Sequence, residues 1–588
     1  MATRKFQMMD VNLTTGESGI TDISDLFDEF LGGTGVATKL LSEMPPGMDS
    51  YSAEAPVIFA IGPFDTIFPV ATKTVALFKS PLTGNLGESH AGGRLAMAMY
   101  GAGIHVLRIR GRAPTLSYLV IDEETAVVKR ANSLKGMSAL ATERMLRDRE
   151  DSEFKRSIIR IGPAGERLSP IGEVTVDAAR HFGRLGLGGV LGSKNLKAIM
   201  ISGGKYWKID NKGQFNIFYK KLYDSVVNSP LMKKYHELGT SVNVIPLSKI
   251  NGMPTRNFSQ GSFEGAREIS GERFAEKHLN QQIACAHCQV GCIHVASLRE
   301  RFSAEDQHYK TFKVSYDHEL IYAWGSNLSI GSTEEILRLL LIVEKQGWDA
   351  ISMGTTLAWT VDAYAHGFIG DKETVGLIPA FGDAKTFEKM LGRIISGHNE
   401  FYRSLEKGSV FCARIYGGKE YSIAFGGNEA AGYSTGLWGF LGYATGVRHS
   451  HLDAAGYSID QGNISNPQSD EILTRNLYNE SVWRMILNSL VICLFARNVY
   501  TKEIILEGLD VLGISGWTED RLIKTSRHIH ALKYKFKEDC GFKFEDQELP
   551  GRLLRTVTSS GMLSSERFRT EIDRYKSFIA DDRRSLGI

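Results

Sequence analysis

Three cysteines within one short segment constrain this chain more than any other feature of its sequence. Cys285, Cys288 and Cys292 form the pattern C-x2-C-x3-C, and the whole chain of 588 residues has only six cysteines. Thiolates so close together repel one another unless a cation or cluster binds them. Iron–sulfur clusters use cysteine ligands, usually four. Zinc is the competing interpretation, because Cys3His sites exist and His287 and His294 lie in the same segment. The spacing favours a cluster over zinc.

A fourth cluster ligand has three candidates elsewhere in the chain. Cys412 lies in an apolar segment, 408–414, that the residues predict to be a strand in the core. Cys493 ends an apolar run, 490–493, and Cys540 lies in a charged turn, 537–541. The residues alone leave the choice among the three open.

The secondary structure predicted from the sequence changes near residue 207. Short apolar runs that stop at Gly or Pro predict strands before that point, for example over 56–63, 104–111 and 156–163. Beyond it, apolar residues recur at helical spacing over 334–345, 502–512 and 519–535. The fold class predicted is α+β: a β-rich N-terminal domain (1–207) followed by two mostly α-helical domains (208–412 and 413–588).

Charge and hydropathy exclude several classes of protein. Lys and Arg total 69 against 67 Asp and Glu, a net charge of +2 with no basic run, which argues against a nucleic-acid binder. No apolar stretch reaches the roughly 18 residues of a membrane span, and the first residues lack a secretory signal. We therefore expect a cytoplasmic enzyme.

Glycine is the unusual component, with 61 residues. Four glycine-rich segments fall in the first third, at 30–35, 80–94, 161–166 and 183–197. Glycine lets backbone N–H groups approach an anionic ligand, although each segment alone is equally well explained as a tight turn. None matches a nucleotide-binding pattern. With Lys73, Arg94 and Arg184 nearby, the segments favour a large phosphate-bearing cofactor.

Several of these segments, in their order along the chain, resemble the aldehyde ferredoxin oxidoreductase family. The similar segments are 80–84, Gly92–Gly93, 161–166, 192–198, the cysteine group and 548–552, so the resemblance runs from about residue 5 to about residue 555. It implies a tungsten or molybdenum ion held by two pyranopterins, a [4Fe–4S] cluster, and Mg²⁺ bridging the pterin phosphates. The implied fold is a β-rich base for the pterins, capped by two helical domains.

The resemblance also implies where the cofactors bind. The positions matching the phosphate and Mg²⁺ site are Lys73, His90, Gly92, Gly93, Arg184 and Leu185. Lysine stands at residue 73 where the family usually has arginine, and lysine cannot pair a phosphate as a fork. Histidine stands at residue 90 where asparagine is usual.

Two further segments match the family motifs that hold the pterin rings. Residues 344–349 supply Glu344 and Asp349, and residues 488–493 supply Asn488 in place of the usual acid. An amide accepts hydrogen bonds only through its oxygen. The second motif also identifies Cys493 as the fourth cluster ligand.

Near the metal, the family positions correspond to Glu319 and His451. A carboxylate could take a proton from water, and a histidine could hydrogen-bond the substrate oxygen; His318 and His449 are the competing histidines. The implied reaction oxidises an aldehyde to a carboxylic acid, with electrons passed to ferredoxin or an iron–sulfur partner subunit, in a homodimer or hetero-oligomer. The alternatives are reduction of an aromatic acyl-CoA thioester on the same scaffold, and a non-catalytic scaffold subunit that binds zinc or a cluster.

Overall fold

The computed structural model describes residues 5–123, 125–303 and 307–588. Within these residues, the N-terminal part contains two six-stranded sheets. The first has the order β2-β1-β6-β3-β4-β5. Its strands are β1 (Gln7–Asn12), β2 (Ser18–Asp22), β3 (Val57–Ala60), β4 (Thr74–Lys79), β5 (Leu86–Ala91) and β6 (Val106–Arg110). The strands predicted over 56–63 and 104–111 are therefore confirmed as β3 and β6.

The second sheet has the order β11-β10-β9-β12-β7-β8. Its strands are β7 (Ser117–Asp122), β8 (Thr125–Arg130), β9 (Arg156–Ile161), β10 (Val174–Val176), β11 (Arg180–Phe182) and β12 (Leu196–Ser202). Strands β9 and β12 are buried on both faces along nearly their whole length, and β12 carries an apolar run over 198–201. The two sheets share one apolar core, in which Phe59 and Phe182 lie 5.5 Å apart between ring centroids.

Helices dominate after residue 207, but a small sheet interrupts them. The antiparallel strands β13 (Leu279–Ile283), β14 (Ile293–Arg301) and β15 (Tyr309–Tyr316) pair in sequence order. A short ladder joins β16 (Ala424–Phe425) and β17 (Asn428–Glu429). The β13–β15 sheet was not foreseen, and it carries the cysteine segment as the connection between β13 and β14.

The helices of the N-terminal part lie between strands and at the ends of the two sheets. They are α1 (Ser24–Phe30), α2 (Gly33–Leu41), α3 (Leu95–Gly101), α4 (Ala139–Arg149), α5 (Pro163–Glu166) and α6 (Leu187–Ser193). The helices of the middle part are α7 (Lys212–Val227), α8 (Pro230–Leu238), α9 (Val244–Lys249), α10 (Gly271–His278), α11 (His318–Trp324), α12 (Thr333–Gln346), α13 (Ala350–Ala365), α14 (Asp371–Thr374), α15 (Ala384–Ser396) and α16 (Glu400–Leu405).

The C-terminal part contains the longest helices. They are α17 (Ser409–Tyr416), α18 (Leu437–Thr445), α19 (Gly456–Ser465), α20 (Asp470–Ser489), α21 (Lys502–Val511), α22 (Glu519–Asp539) and α23 (Ser565–Leu586). The predicted helices are confirmed as α12, α21 and α22. Helix α12 ends where expected, because Gly347 adopts a left-handed conformation with φ +74° at its C-cap.

The strand predicted around Cys412 is wrong. Residues 409–416 form helix α17, which buries Cys412 against the helical core. A short apolar run does not by itself distinguish a buried strand from a buried helix. The α+β class, with its β-rich start and helical remainder, is confirmed, whereas the domain boundaries at 207 and 412 stay a prediction.

Candidate active site

A cavity of about 390 Å³ lies between the N-terminal sheets, the β13–β15 sheet and the C-terminal helices. Most of the residues predicted from the sequence line it. They are Lys73, His90, Gly92, Arg184, Leu185, Asp349, Asn488, Glu319, His451 and the cysteines Cys285, Cys288, Cys292 and Cys493. Gly93 adjoins this wall, where its carbonyl oxygen accepts a hydrogen bond of 2.9 Å from the backbone N–H of Ala286. The fold thus gathers residues from distant parts of the chain around one space.

The β13–β15 sheet explains why the cysteines lie beside Glu319. Ile283 on β13 pairs with Ile293 on β14, so the residues between them, including the cysteine group, form the loop of a hairpin. Tyr316, the last residue of β15, pairs with His294 at the same end of the sheet. Glu319 follows in the first turn of α11, which Asp317 caps by accepting from the backbone N–H of Leu320 at 3.0 Å.

Of the three candidates for a fourth cysteine ligand, only Cys493 lines the cavity. Its backbone N–H donates to the carbonyl of Val70 at 3.0 Å, and the N–H of Val70 donates to the carbonyl of His287 at 3.2 Å, so one loop ties both cysteine segments together. The Cys412 thiol instead donates to the carbonyl of Ser404, and Cys540 approaches the carbonyl of Pro46. The geometry supports the choice of Cys493.

Positive side chains surround the thiols. Arg180 Nη2 lies 3.8 Å from Cys292 Sγ, and a Cβ added at Gly92 would stand 2.5 Å from Cys285 Sγ and 3.4 Å from Lys73 Nζ. Burial alone would raise the pKa of Cys285, but the charges of Arg180 and Lys73 bring it below its ordinary value. Burial raises the pKa of Cys288 to about 12 and that of Cys292 above its ordinary value, so the charges favour the thiolate, the form that binds metal, at Cys285.

The two histidines that made zinc a competitor are not directed at the thiols. His294 Nδ1 lies 3.1 Å from the carbonyl of Cys292, and its Nε2 lies 3.3 Å from the carbonyl of Glu237. His287 is exposed on the outer side of the loop. Across residues 5–123, 125–303 and 307–588, no three His, Cys, Asp or Glu side chains converge as the ligands of a single metal ion.

Glu319 and His451 lie together at the cavity wall. His451 Nε2 is 3.3 Å from Glu319 Oε1, and the hydroxyl of Tyr433 donates to the same oxygen at 2.8 Å. Burial alone would raise the pKa of Glu319, but the hydrogen bonds from His451 and Tyr433 bring it below its ordinary value. Burial and the charge of Glu319 raise the pKa of nearby Asp317. Of the carboxyl groups of Glu319 and Asp317, that of Glu319 is therefore the one more readily ionised, as a proton acceptor must be.

The competing histidines face elsewhere. His449 contacts the carbonyl of Tyr443 at 2.9 Å and Lys537 Nζ at 3.1 Å, and it does not line the cavity. His318 Nε2 contacts the carbonyl of Gly432 at 3.0 Å. Among the three histidines that the sequence offered, the structure thus pairs His451 with Glu319.

The two acids of the first pterin-like motif have different surroundings. Asp349 caps α13 by accepting from the backbone N–H groups of Ile351 and Ser352, and its other oxygen lies 2.9 Å from Arg184 Nε. Glu344 lies behind the cavity wall, where it accepts from Ser315 Oγ at 3.1 Å. Asp349 is thus positioned to hold Arg184 at the wall, while Glu344 reaches the cavity only through its neighbours.

A buried ionic cluster supports the wall at His90. Glu88 and Lys533 are fully buried and form an ion pair. Thr34 Oγ1 donates to Glu88 at 2.9 Å, and His90 Nε2 lies 2.7 Å from Glu88 Oε1. Burial lowers the pKa of His90 to about 4, so the ring is neutral at physiological pH. His90 therefore offers no positive charge to a phosphate.

Unpaired polar atoms converge on the same cavity. Buried side-chain atoms of wall residues that have no hydrogen-bond partner in the described part of the chain are Arg180 Nε, His181 Nε2, Arg184 Nη1, Tyr316 OH, Asn428 Oδ1 and His451 Nδ1. Buried polar groups are rarely left unpaired unless a ligand or water satisfies them. A polar, anionic cofactor fits this set, because the guanidinium groups supply donors for phosphates and the thiols supply ligands for a cluster.

Several glycines of the N-terminal part have another role than the one expected. A Cβ at Gly33 or Gly62 would lie within 2.4 Å of carbonyl oxygens at residues 488–489, and one at Gly192 would lie 1.9 Å from the carbonyl of Gly165. These glycines let backbone segments pack against each other. Among the glycine-rich residues, Gly92 and Gly183 do line the cavity.

Sequence reasoning missed several residues of the site. Arg180, Tyr433 and Asn428 line or support the cavity wall without belonging to any recognisable motif. Asp317 also lines the cavity, and its position two residues before Glu319 could have indicated this.

The comparisons with known proteins agree with this architecture. The family model described as aldehyde ferredoxin oxidoreductase, N-terminal domain, matches residues 8–203, and the model for domains 2 and 3 of the same family matches residues 218–577. These family matches support the scaffold of a tungsten pterin oxidoreductase. The chain belongs to the aldehyde ferredoxin oxidoreductase family.

Individual relatives extend this result. The tungsten-containing aldehyde ferredoxin oxidoreductase of Pyrococcus furiosus is 33% identical over 577 residues, which cover 94% of this chain and 91% of the relative. The aliphatic sulfonate oxidoreductase WOR-like subunit of the same organism is 26% identical over 412 residues, covering 66% of this chain and 64% of that protein.

A solved structure has the same fold. The active-site complex BamBC of benzoyl coenzyme A reductase with 1,5-dienoyl-CoA matches with a TM-score of 0.82 at 18% identity, covering 98% of this chain and 95% of that chain. At this identity the likeness concerns the fold alone. In the described parts of the chain, none of the helices combines the length and the apolar character needed to span a bilayer.

Proposed function

We propose that this chain is a tungsten- or molybdenum-dependent oxidoreductase that converts an aldehyde and water to a carboxylic acid. The proposal rests on the side chains that surround one cavity. The Glu319–His451 pair, supported by Tyr433, and the four cysteines line the same space. Oxidising R–CHO with H2O to R–COO⁻ releases three protons and two electrons, so the reaction needs a proton acceptor and an electron exit.

Several polar or charged residues of the cavity wall would hold the cofactors. Arg184 and Lys73 would pair the pterin phosphates, with Mg²⁺ bridging them near the backbone of His90 and Gly92, while Asn488 would contact a pterin ring. The four cysteines would bind a [4Fe–4S] cluster. When bound, these groups would supply a two-electron acceptor for the substrate and a one-electron path out of the protein.

The protein itself would move the protons and position the substrate. The ionised Glu319 carboxylate accepts a proton from the water that becomes the new carboxyl oxygen. His451 contacts Glu319 through Nε2, and its Nδ1 has no partner in the described part of the chain, so the ring could contact the substrate oxygen through Nδ1 and hold the carbonyl in place. The apolar side chains of Leu320 and Leu452 directly follow these two residues and line the same cavity, so we expect apolar aldehydes to bind best.

Two measurements test this function. Elemental analysis of anaerobically purified protein should find tungsten or molybdenum together with four irons per chain, as one [4Fe–4S] cluster requires. Zinc without these metals would instead support the scaffold alternative. Reduction of a viologen dye that depends on an aldehyde and on Glu319 should follow in the metal-loaded protein.

The second candidate is reduction of an aromatic acyl-CoA thioester on the same scaffold. It is favoured by the fold shared with a benzoyl coenzyme A reductase complex. Benzoyl-CoA offered with a low-potential reductant decides between the two: turnover of the thioester, with no aldehyde oxidation by the loaded enzyme, would replace the first proposal with this one.

A further inference from the structure

The cysteine loop reaches the protein surface at His287. This residue lies between Cys285 and Cys288, is exposed, and adopts a left-handed backbone conformation with φ +56° that turns the loop outward. On this outer side lies a second cavity, of about 500 Å³, whose wall includes His287, Phe154, Lys155 and Trp207. It is separate from the cavity that contains Glu319. His287 in its wall directly precedes Cys288 in the chain.

The rim of the second cavity is aromatic and exposed. Tyr206 is 85% exposed and Phe154 is 40% exposed, while Tyr100 and Trp207 stack at 4.6 Å between ring centroids below them. Large aromatic side chains are costly to leave in water and are enriched in protein–protein interfaces. We call the exposed region formed by Phe154, Lys155, Tyr206, Lys208 and His287 the outer face.

Lysine predominates over segment 203–221 beside the outer face, whereas the exposed acids Asp151 and Glu153 precede Lys155. The segment 203–221 contains five lysines and one aspartate, whereas the chain as a whole carries a net charge of only +2. Lys220 and Lys221 are paired with Asp224 and Glu507, but Lys155 and Lys208 are exposed beside the aromatic rim. A positive, aromatic surface is complementary to an acidic protein.

We propose that the outer face is the docking site of a small, diffusible, acidic iron–sulfur protein that receives the electrons at His287. The proposal rests on the proposed function, because it gives that reaction its electron exit. Each aldehyde oxidised supplies two electrons, so two one-electron carriers dock in turn and each leaves reduced. The lysines attract the carrier, and the exposed aromatic rings pack against it at closest approach to the cysteine loop.

The test uses the metal-loaded enzyme and a bacterial-type [4Fe–4S] ferredoxin as the probe. The variant K155E/K208E reverses charge on the outer face. The variant K372E/K385E makes the same change in net charge at two exposed lysines on α14 and α15, which line neither cavity. Aldehyde-dependent reduction is measured with ferredoxin and, in parallel, with a viologen dye that needs no docking site.

We expect K155E/K208E to raise the KM for ferredoxin roughly tenfold at low salt, the size expected when electrostatic steering is lost. Its kcat with viologen should stay within about twofold of the unmodified enzyme. The control variant should change neither value. Salt should weaken ferredoxin turnover of the unmodified enzyme more than that of K155E/K208E, because the Debye length falls to about 3 Å at 1 M.

A binding titration makes the test independent of turnover. The dissociation constant of ferredoxin should rise for K155E/K208E and for Y206A, and stay constant for K372E/K385E. Equal weakening by both charge-reversal variants, or by neither, would overturn the docking site while leaving viologen activity and the proposed function intact. A tightly bound iron–sulfur subunit that covers the outer face in the purified protein would also overturn the diffusible carrier.

Discussion

Replacing Glu319 with glutamine tests the chemistry at the centre of the proposal. The substitution keeps the size of the side chain and removes its negative charge. The glutamine oxygen can still accept from the Tyr433 hydroxyl, which lies 2.8 Å from the carboxylate oxygen. A hydrogen bond to a neutral group is weaker than one to a charged group by about 1 kcal/mol, so the fold should be retained.

The expected loss of activity follows from the role of the carboxylate. Positioned general bases contribute about 10²–10⁴-fold to rate, equivalent to ~2.7–5.5 kcal/mol of activation free energy. We therefore expect E319Q to lower kcat for aldehyde oxidation by that factor. Since His451 acts with Glu319 across 3.3 Å, the double variant E319Q/H451N should lose little more than E319Q alone.

The assay is aldehyde-dependent viologen reduction by protein whose tungsten or molybdenum and iron contents have been measured. E334Q is the matched control, because Glu334 is 53% exposed and its ion pair in the described part of the chain is with Arg338 on the surface of α12. Such a pair contributes a few tenths of a kcal/mol, so E334Q should keep full activity. If E319Q retains more than a tenth of kcat with its metals bound, Glu319 is not the proton acceptor.

Three further substitutions address the cofactors and the scaffold. We expect G92A to lower the iron content of the purified protein, because its new Cβ would stand 2.5 Å from Cys285 Sγ and displace the thiol. C493S should lose iron and the visible absorption of the cluster. The tungsten or molybdenum content is measured separately in the same samples. E88Q should lower the free energy of unfolding by about 3–5 kcal/mol, seen as a lower denaturation midpoint, because Lys533 is fully buried and would lose its partner. The double variant E88Q/K533M should recover most of this loss.

The controls for these variants lie in the same chain. Gly462 has open space where a Cβ would stand, so G462A should keep its iron. Cys412 is buried away from the cavity, so C412S should also keep its iron, whereas loss of iron in C412S rather than in C493S would reverse the assignment of the fourth ligand. If E88Q/K533M is no more stable than E88Q, the loss of stability in E88Q does not come from the unpaired charge of Lys533.

Local patterns carried much of the prediction. Helix α12 could be recognised because its acidic first turn, apolar centre and terminal glycine all lie within one continuous segment. The strand around Cys412 could not, since a short apolar run has the same composition in a buried strand as in helix α17. The glycines indicated close backbone approach correctly, but at Gly33 and Gly192 the approaching group is another backbone carbonyl rather than a phosphate.

The amino-acid sequence by itself determined the order of β-rich and helical parts, the cluster-like cysteine group and the family motifs, because each is written within a few neighbouring residues. Only the tertiary structure decided which distant side chains meet. Tyr433 reaches Glu319 across 114 residues of chain, and Lys533 reaches Glu88 across 445. Such pairs follow from the packing of whole sheets and helices, so no local pattern reveals them. The exposure of His287 is of the same kind, because it depends on which elements cover the cysteine loop and which leave it open.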